Sequence, residues 1–303
     1  MKIPVSPRGM ALAAGLIPGL LLPGMVRAEE APALGADTFL GDLPVFLTVT
    51  RLPQELSETP ASVMIIDRDM IEAAGAVEIA DLLRLVPGFV VGHYHDTDGS
   101  RTVVSYYGAS DQYARRLQVL VDGMSVYMPA TGGVEWPDLP LAIEDIERIE
   151  VVRGPNGAAY GSNSFLGVIN IITRHPQETV SKAWATGGTV GYREAGVRLA
   201  GGDGDFQYRV TGGYRSSTGF PDGISGDYEV ELNDDSITRS LALRGDYRAS
   251  VNDYLTFQAG LANGPREVGV GEDPFDPRRF QQMNTDYQQV RWRRMLDSES
   301  EFQ

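Results

Sequence analysis

The chain contains no cysteine in its 303 residues, which excludes disulfides, thiolate catalysis and cysteine-ligated metals. Histidine is nearly as scarce: His93, His95 and His175 are the only three. No serine–histidine–acid pattern and no glycine-rich nucleotide loop lies in a suitable context, so the sequence carries no enzyme signature and calls for no resident cofactor. Positive charge is short as well. The 26 lysines and arginines face 41 aspartates and glutamates, a formal charge of −15, and an acidic chain without a basic patch is a poor nucleic-acid binder. A long apolar run is also missing. The uncharged stretch Met10 to Val26 is interrupted by Gly15, Pro18, Gly19, Pro23 and Gly24, which argues against a spanning helix.

That same stretch has the grammar of an export signal. Lys2 and Arg8 precede it, and Val26-Arg27-Ala28 sets a small residue where a signal peptidase cuts. Residues 1–28 are therefore expected to be removed. They carry Lys2, Arg8 and Arg27 and no acid, so the remainder has a formal charge of −18. Residues 29–50 form an Ala- and Pro-containing lead, expected to be mobile. It ends in Val45-Phe46-Leu47-Thr48-Val49-Thr50, an isolated run of strand formers between Pro44 and Pro53. Such a run suits pairing with the edge of another protein's sheet or with an edge of the next domain.

Residues 51–176 read as a small mixed α+β domain, of about the usual single-core size. Val63–Ile66 is a strand and Asp69–Ala74 a short helix. Ile79, Leu82, Leu83 and Val86 recur at helical spacing, so a helix is expected over Val77–Val86, stopped by Pro87-Gly88. Strands follow at Phe89–Val91, Thr102–Tyr107 and Leu117–Val121, the last turning at Asp122-Gly123. Two more, Ile149–Val152 and Val168–Ile172, flank a connection rich in Gly, Asn and Ser. The whole segment from Ile146 reads I-E-R-I-E-V-V-R-G-P-N-G-A-A-Y-G-S-N-S-F-L-G-V-I-N-I-I-T. Its glycines permit positive φ, and Pro155 fixes one turn.

After His175-Pro176 the pattern changes. Phe206, Tyr208, Val210, Gly212 and Tyr214 alternate with polar or small residues. So do Leu241, Leu243, Gly245 and Tyr247, and Leu255, Phe257, Ala259 and Leu261. This period of two, apolar out and polar in, is that of a transmembrane β-barrel. Tight links are expected at Gly202–Asp205, Ser250–Asp253 and Asp297–Glu299. Long ones are expected at Ser217–Ser236 and Asn263–Met283, an alternation that suits short periplasmic turns and long outer loops.

The string from Ile146 to Thr173, with the order strand, helix, Leu85-Val86-Pro87-Gly88, strand, Leu117–Gly123 and Arg153-Gly154-Pro155, resembles the plug of TonB-dependent outer-membrane transporters. The resemblance runs from about Arg51 to Arg174. It implies an α+β plug followed by an antiparallel barrel of about 22 strands. Residues 177–303 hold only six strands and the start of a seventh at roughly ten residues each. An open sheet leaves unpaired edges that lipid does not tolerate, so the expected barrel is truncated here.

The resemblance also implies a function: energy-coupled uptake across the bacterial outer membrane, with TonB as the periplasmic partner and lipid around the barrel. A scarce large solute is expected as cargo, an iron–siderophore complex first, with cobalamin or haem as alternatives. A reading of another class is a secreted plug fragment acting as a binding module. Val45, Phe46, Leu47, Thr48, Val49 and Thr50 lie where the family carries its TonB-contacting segment, although Leu43-Pro44 stands where an acid and Thr are usual. The outer plug loops, which in the family form the floor of the binding site, correspond to His93–Arg101, Gly108–Arg116 and Val126–Gly133. They offer His93, Tyr94, His95, Gln112, Tyr113, Arg115, Tyr127 and Met128 as ligand contacts. His93 and His95, two apart, could share one strand face toward a metal chelate or stand as solvated loop residues. Asp96-Thr97-Asp98-Gly99 lacks the spaced ligands of a calcium loop and reads as a turn. Glu147, Glu150 and Arg153 are expected in ion pairs that retain the plug, Glu147 or Glu150 pairing with an Arg of the plug or of the wall, where Arg209, Arg244 and Arg248 lie on the inward register.

Overall fold

A computed structural model describes residues 61–296 apart from 97–98, 110–112, 129–131, 220–222, 226–227, 231–234, 270–273 and 276, together with 45–46, 54–55 and 301–302. Two short strands come first, β1 (Val45–Phe46) and β2 (Gln54–Glu55), paired antiparallel. The plug sheet follows in the order β3–β8–β9–β6–β7. Its members are β3 (Ser62–Ile66), β6 (Leu117–Val121), β7 (Met124–Ser125), β8 (Ile146–Arg153) and β9 (Gly167–Thr173). Only β6 and β9 pair in parallel, and every residue of β6 is buried. A central strand covered on both faces reads as a near-continuous apolar run, as Leu117-Gln118-Val119-Leu120-Val121 does.

One face of this sheet packs on helix α1 (Arg68–Ala74), on the helical turn Ile79–Leu85 and on the apolar segments around Trp136 and Leu139. The Asp67 carboxylate accepts the Met70 N–H at 2.9 Å and starts α1, and Gly75 at φ 58° ends it. Ile79–Leu85 is a 3₁₀ rather than an α-helix. It still buries Ile79, Leu82 and Leu83, with Val86 behind them. Its ends are tied by i→i−3 bonds, Asp81 N–H to the Glu78 carbonyl and Val86 N–H to the Leu83 carbonyl. With Pro87 next, the segment cannot lengthen into a full α-helical register.

The strands β4 (Phe89–Asp96) and β5 (Gly99–Tyr106) form a hairpin paired from Phe89↔Tyr106 to Asp96↔Gly99. The side-chain pattern ends the first strand at Val91 and begins the next at Thr102. Backbone pairing continues through Gly92-His93-Tyr94-His95, because a hairpin ladder tolerates polar side chains where it is not buried on both faces. The connection Arg153–Gly167 contains the short helix α2 (Gly157–Tyr160), and Tyr160 packs over Val152, Val168 and Leu120 on the other face of the sheet.

The second sheet is a wall of seven consecutive antiparallel neighbours. They are β10 (Lys182–Gly187), β11 (Arg193–Asp203), β12 (Phe206–Ser217), β15 (Ser236–Arg248), β16 (Asp253–Val268), β17 (Arg279–Met295) and β18 (Glu301–Phe302). A small hairpin, β13 (Gly223–Ser225) with β14 (Tyr228–Val230), lies in the connection between β12 and β15. The period of two is kept. Val197, Leu199, Phe206, Tyr208, Tyr214, Phe257 and Leu261 are exposed on one side, while Arg198, Arg209, Thr211, Ala242, Gln258 and Ala262 are buried on the other.

The longest expected link is shorter than predicted. β16 runs on to Val268 and pairs with Arg279 of β17. The side-chain pattern ends the strand before Gly264-Pro265. The β15–β16 ladder holds one register across this stretch, from Arg239↔Asn263 to Ser236↔Arg266, and the positions between them take Gly264 and Pro265, which has no N–H to donate. A Cβ on Gly264 would lie 1.8 Å from the Ile237 carbonyl oxygen, so only glycine fits there.

Candidate functional site: the plug face and its seam with the wall

The seam begins with Asp145, which is fully buried at the entry to β8. Arg198 of β11, 1% exposed, donates to Asp145 Oδ1 at 3.0 Å and to the Glu144 carbonyl at 2.7 Å. Arg209 of β12 places Nε 3.7 Å from Asp145 Oδ2 and donates from Nη1 to the Arg174 carbonyl at 2.6 Å. The Lys182 ammonium reaches the Glu144 carboxylate. Buried charges persist only when paired and hydrogen-bonded, and here the plug supplies the acid and the wall supplies the base.

Asp122 is the second anchor. It sits at φ 48° in the turn after β6, a left-handed conformation costly for a non-glycine residue. Its carboxylate accepts the Thr173 N–H at 2.8 Å, the Thr173 hydroxyl at 2.7 Å and the Gln258 amide at 2.5 Å. Arg244 Nη1 stands 3.6 Å from Asp122 Oδ2 and donates to Thr173 Oγ1 at 2.9 Å. Arg291 donates to the Asp122 carbonyl. One strained turn thus joins β6, β9 and three wall strands.

Further contacts mark the two ends of the seam. Arg266, near the end of β16 that leads to the long connection 269–278, holds Asp138 at 2.7 Å, both side chains being 7% exposed. Arg215 donates to the Pro137 carbonyl at 2.7 Å. Pro140 lies against Gly260, where a Cβ would come within 2.9 Å of its ring. At the short-turn end, His175 Nε2 meets Asp246 Oδ2 at 3.2 Å. Its Nδ1 accepts the Gln177 N–H at 3.2 Å, which leaves Nε2 to carry the proton of a neutral ring.

Of the predicted ion pairs, Glu147 meets Arg174 at 3.3 Å and Glu150 meets Arg148 at 2.9 Å. Both partners belong to the plug rather than to the wall. Arg153 Nε is buried without a hydrogen-bond partner among the described residues. Arg209 and Arg244 do face the plug. Arg248 instead pairs with Asp205 at 2.7 Å, both more than half exposed, because it lies beyond the plug at the turn end of β15. The seam's carboxylates, Asp122, Asp138, Glu144 and Asp145, were not singled out from sequence. A usable signal was present, since each closes an apolar segment at a turn: Val121-Asp122-Gly123, Trp136-Pro137-Asp138 and Ile143-Glu144-Asp145.

The predicted ligand residues form two groups. Tyr113, Arg115, Tyr127 and Met128 come together around Gly132 and Gly133. The Arg115 guanidinium lies 5.3 Å from the Tyr113 ring centroid, and the Tyr127 hydroxyl is 3.1 Å from where a Gly132 Cβ would stand. Met128 bridges Gly133 in a short antiparallel contact. Beside them is a narrow cleft lined by Thr102, Val104, Tyr113, Ala114, Val134, Glu135 and Trp136. Because Asp138 follows Trp136 and is held by Arg266, this cleft lies toward the long-connection end of the wall.

His93 belongs to the other group. Its Nε2 stands 3.8 Å from Asp81 Oδ1, and its Nδ1 lies 3.4 Å from the Thr102 hydroxyl, which donates to Glu78 at 2.8 Å. The Asp81 carboxylate beside the ring raises the His93 pKa above its ordinary 6.5, and His93 in turn lowers that of Asp81. At 3.8 Å the attraction is electrostatic rather than a hydrogen bond. Tyr94 and His95 continue β4, paired with Arg101 and Ser100. Gln112 and the Thr97-Asp98 turn lie outside the described residues. So do Leu47, Thr48, Val49 and Thr50, while Val45 and Phe46 pair with Glu55 and Gln54. No cluster of three or more metal-ligating side chains occurs among the described residues.

A plug of this topology docked on the polar face of an antiparallel wall whose other face exposes apolar side chains defines a class of outer-membrane receptors, and comparison with known proteins agrees. Residues 55–168 match the family model of the TonB-dependent Receptor Plug Domain. The chain is 31% identical over 292 residues to the Vitamin B12 transporter BtuB of Photobacterium profundum, covering 88% of this chain and 45% of that protein. It is 29% identical to the Iron-regulated outer membrane virulence protein of Vibrio cholerae, over 80% of this chain and 37% of that one. Among solved structures, the alcaligin outer-membrane receptor FauA of Bordetella pertussis superposes with a TM-score of 0.62 at 17% identity. It covers 85% of this chain and 40% of its own. The ferripyoverdine receptor of Pseudomonas aeruginosa gives 0.61 at 17% identity, over 83% and 34%. The chain carries the plug domain of the TonB-dependent receptors and resembles these outer-membrane receptors, a family of transporters and receptors rather than enzymes, over most of its length. It holds the plug and part of the barrel, and spans less than half the length of these relatives.

Proposed function

We propose that this chain serves TonB-dependent uptake of a scarce, large solute across the outer membrane, with an iron–siderophore complex as the preferred cargo and cobalamin or haem as alternatives. The observation that carries the reading is the chemistry of the seam. The plug meets the wall largely through arginines, carboxylates and carbonyl groups. A polar seam can exchange its contacts for water at modest net cost, whereas separating an apolar one exposes surface at about 25 cal/mol per Å². A plug that must yield and return needs the first kind. Relatives named for vitamin B12 and for iron regulation both support uptake and leave the cargo open.

Val45–Thr50 is the proposed TonB contact, acting by strand addition, with Tyr113, Arg115, Tyr127 and Met128 as cargo contacts on the cleft side. Cargo must favour one of two plug states for its binding to alter the periplasmic segment. In the full receptor, Leu47→Pro removes one ladder donor. The expected result is unchanged cargo binding with uptake lost. Uptake at the parent rate would place the TonB contact elsewhere, and loss of cargo binding would make the segment part of the plug's own structure.

A further inference from the structure

We propose that the wall carries an anion path that the docked plug masks, and that the cargo taken through it is an anionic chelate. The proposal rests on the reading that the plug yields during uptake. Besides Arg215 and Arg266 at the long-connection end, five wall cations face the plug: Lys182, Arg198, Arg209, Arg244 and Arg291. Four of them fall in two cross-strand pairs. Lys182 pairs across the ladder with Arg198, and Arg209 with Arg244. Lys182, Arg198, Arg209 and Arg244 are engaged by carboxylates that belong to the plug, namely Glu144, Asp145 and Asp122. Carbonyl groups of Asp122, Glu144, Thr173 and Arg174, on the plug side, take further donors.

Among the described residues, the wall itself sets one carboxylate in this patch. Asp246 accepts from Arg244 Nε at 3.0 Å and from the Thr256 hydroxyl at 2.7 Å, and also meets His175. With the plug docked, four carboxylates face the five cations. With the plug withdrawn, one remains. The wall then shows a strongly positive strip inside a low-dielectric barrel, where a field of one sign is focused and concentrates counter-ions.

The arrangement is costly if retention were its only purpose. Arg209 and Arg244 stand directly opposite each other on paired strands, a like-charge placement that destabilises a ladder. One acid–base pair per anchor would hold the plug without it. A strip of guanidinium groups suits carboxylate or catecholate oxygens, which it can bind in bidentate fashion and release in sequence along the row. A corrinoid without net charge gains less from such a strip. Within the proposed cargo classes, the inference therefore favours an iron chelate with net negative charge.

The test reads ion selectivity and needs no knowledge of the cargo. The full receptor is placed in a planar bilayer, the plug is loosened reversibly with urea, and the reversal potential is measured in a tenfold KCl gradient. The rest of the barrel adds a constant offset, so the informative quantity is the change between variants. Arg209→Gln with Arg244→Gln is expected to lower the chloride-to-potassium permeability ratio at least twofold, while Arg209→Lys with Arg244→Lys keeps it near the parent value. Arg291→Gln provides a second, milder variant should the double change impair assembly, and is expected to lower the ratio in the same direction. An unchanged ratio in the glutamine variants, an equal loss in the lysine variant, or a pore that never opens as the plug loosens would each overturn the proposal. A receptor that imports cargo yet shows no selectivity change would sink the anion path alone and leave the uptake reading standing.

Discussion

The plug sheet and the wall sheet are built from similar strands and bury opposite chemistry. In the plug, Leu117, Val119, Ile149, Val151, Ile169 and Ile171 turn inward onto α1 and the 3₁₀ turn, and almost all are within a few per cent of complete burial. In the wall, the apolar side chains Val197, Leu199, Phe257 and Leu261 point away from the protein, and the buried residues are Arg198, Arg209, Thr211 and Gln258. Water-soluble folding hides hydrocarbon. A barrel in lipid hides the polar groups and leaves hydrocarbon outside. The seam between the two is therefore the one place where polar side chains of the wall must be satisfied by the plug, and Asp122, Asp138 and Asp145 do this.

The comparison breaks most sharply at Asp145. Asp145→Ala would leave Arg198 and Arg209 buried without a carboxylate, and removing one member of such a pair costs about 3–5 kcal/mol. The expected outcome is a plug that exchanges amide hydrogens in β8 and β9 far faster, in a barrel whose own strands remain protected. Equal loss of protection in both sheets would mean that the two fold as one unit and that the seam is not a separable joint.

A second contrast comes from deleting the same hydrocarbon on each side. Leu83 is fully buried in the plug core, so Leu83→Ala leaves a cavity and costs about 2–5 kcal/mol. Leu241 belongs to the outward register of the wall, opposite Leu261, where acyl chains can fill the space. Leu241→Ala is expected to cost about 1 kcal/mol or less in lipid, since the cavity penalty is absent. Unfolding of each variant in bilayers would decide the matter. A similar loss at both positions would contradict the inside-out assignment of the wall.

Both halves of this contrast are legible in the sequence. The wall showed itself through the alternation of Leu255, Phe257, Ala259 and Leu261 with polar neighbours, because a period of two is a local property of the chain. The plug showed itself through Ile146–Thr173, where strand, glycine turn and strand follow one another within one segment. The joint between them was harder to read. Asp145 and Arg198 are 53 residues apart and Asp122 and Gln258 are 136 apart, and no short-range pattern links an acid at a turn to an arginine on a distant strand. The hairpin β4–β5 was cut short in the reading because His93, Tyr94, His95 and Asp96 look like loop residues. Their pairing is carried by backbone, which the side-chain pattern does not reveal. The same polarity drew attention to His93 as a cargo contact, whereas the ring is turned toward Asp81 and Thr102.

The smallest expected effect sharpens the comparison within the plug itself. His93 ties the hairpin to the turn Ile79–Leu85 through Asp81, with Glu78 adding to the attraction and Arg84 opposing it. The folded-state pKa of His93 lies above 6.5, so its contribution is fully present below pH 6.5 and is lost as pH rises through the raised value. That of Asp81 lies below 3.8, so its contribution holds above pH 3.8 and is lost only as pH falls through the lowered one. Between these limits the pair is intact. The His93 side chain is 41% exposed, so solvent screening keeps the effect below about 1 kcal/mol. Amide exchange of Phe89–Tyr106 is therefore expected to quicken modestly from pH 6 to pH 8.5, after correction for the intrinsic rate, while the wall strands do not change. His93→Gln should remove the pH dependence and fix exchange at the faster, high-pH level. A hairpin whose corrected exchange is flat across this range in the parent protein would show that the Asp81 contact does not hold it.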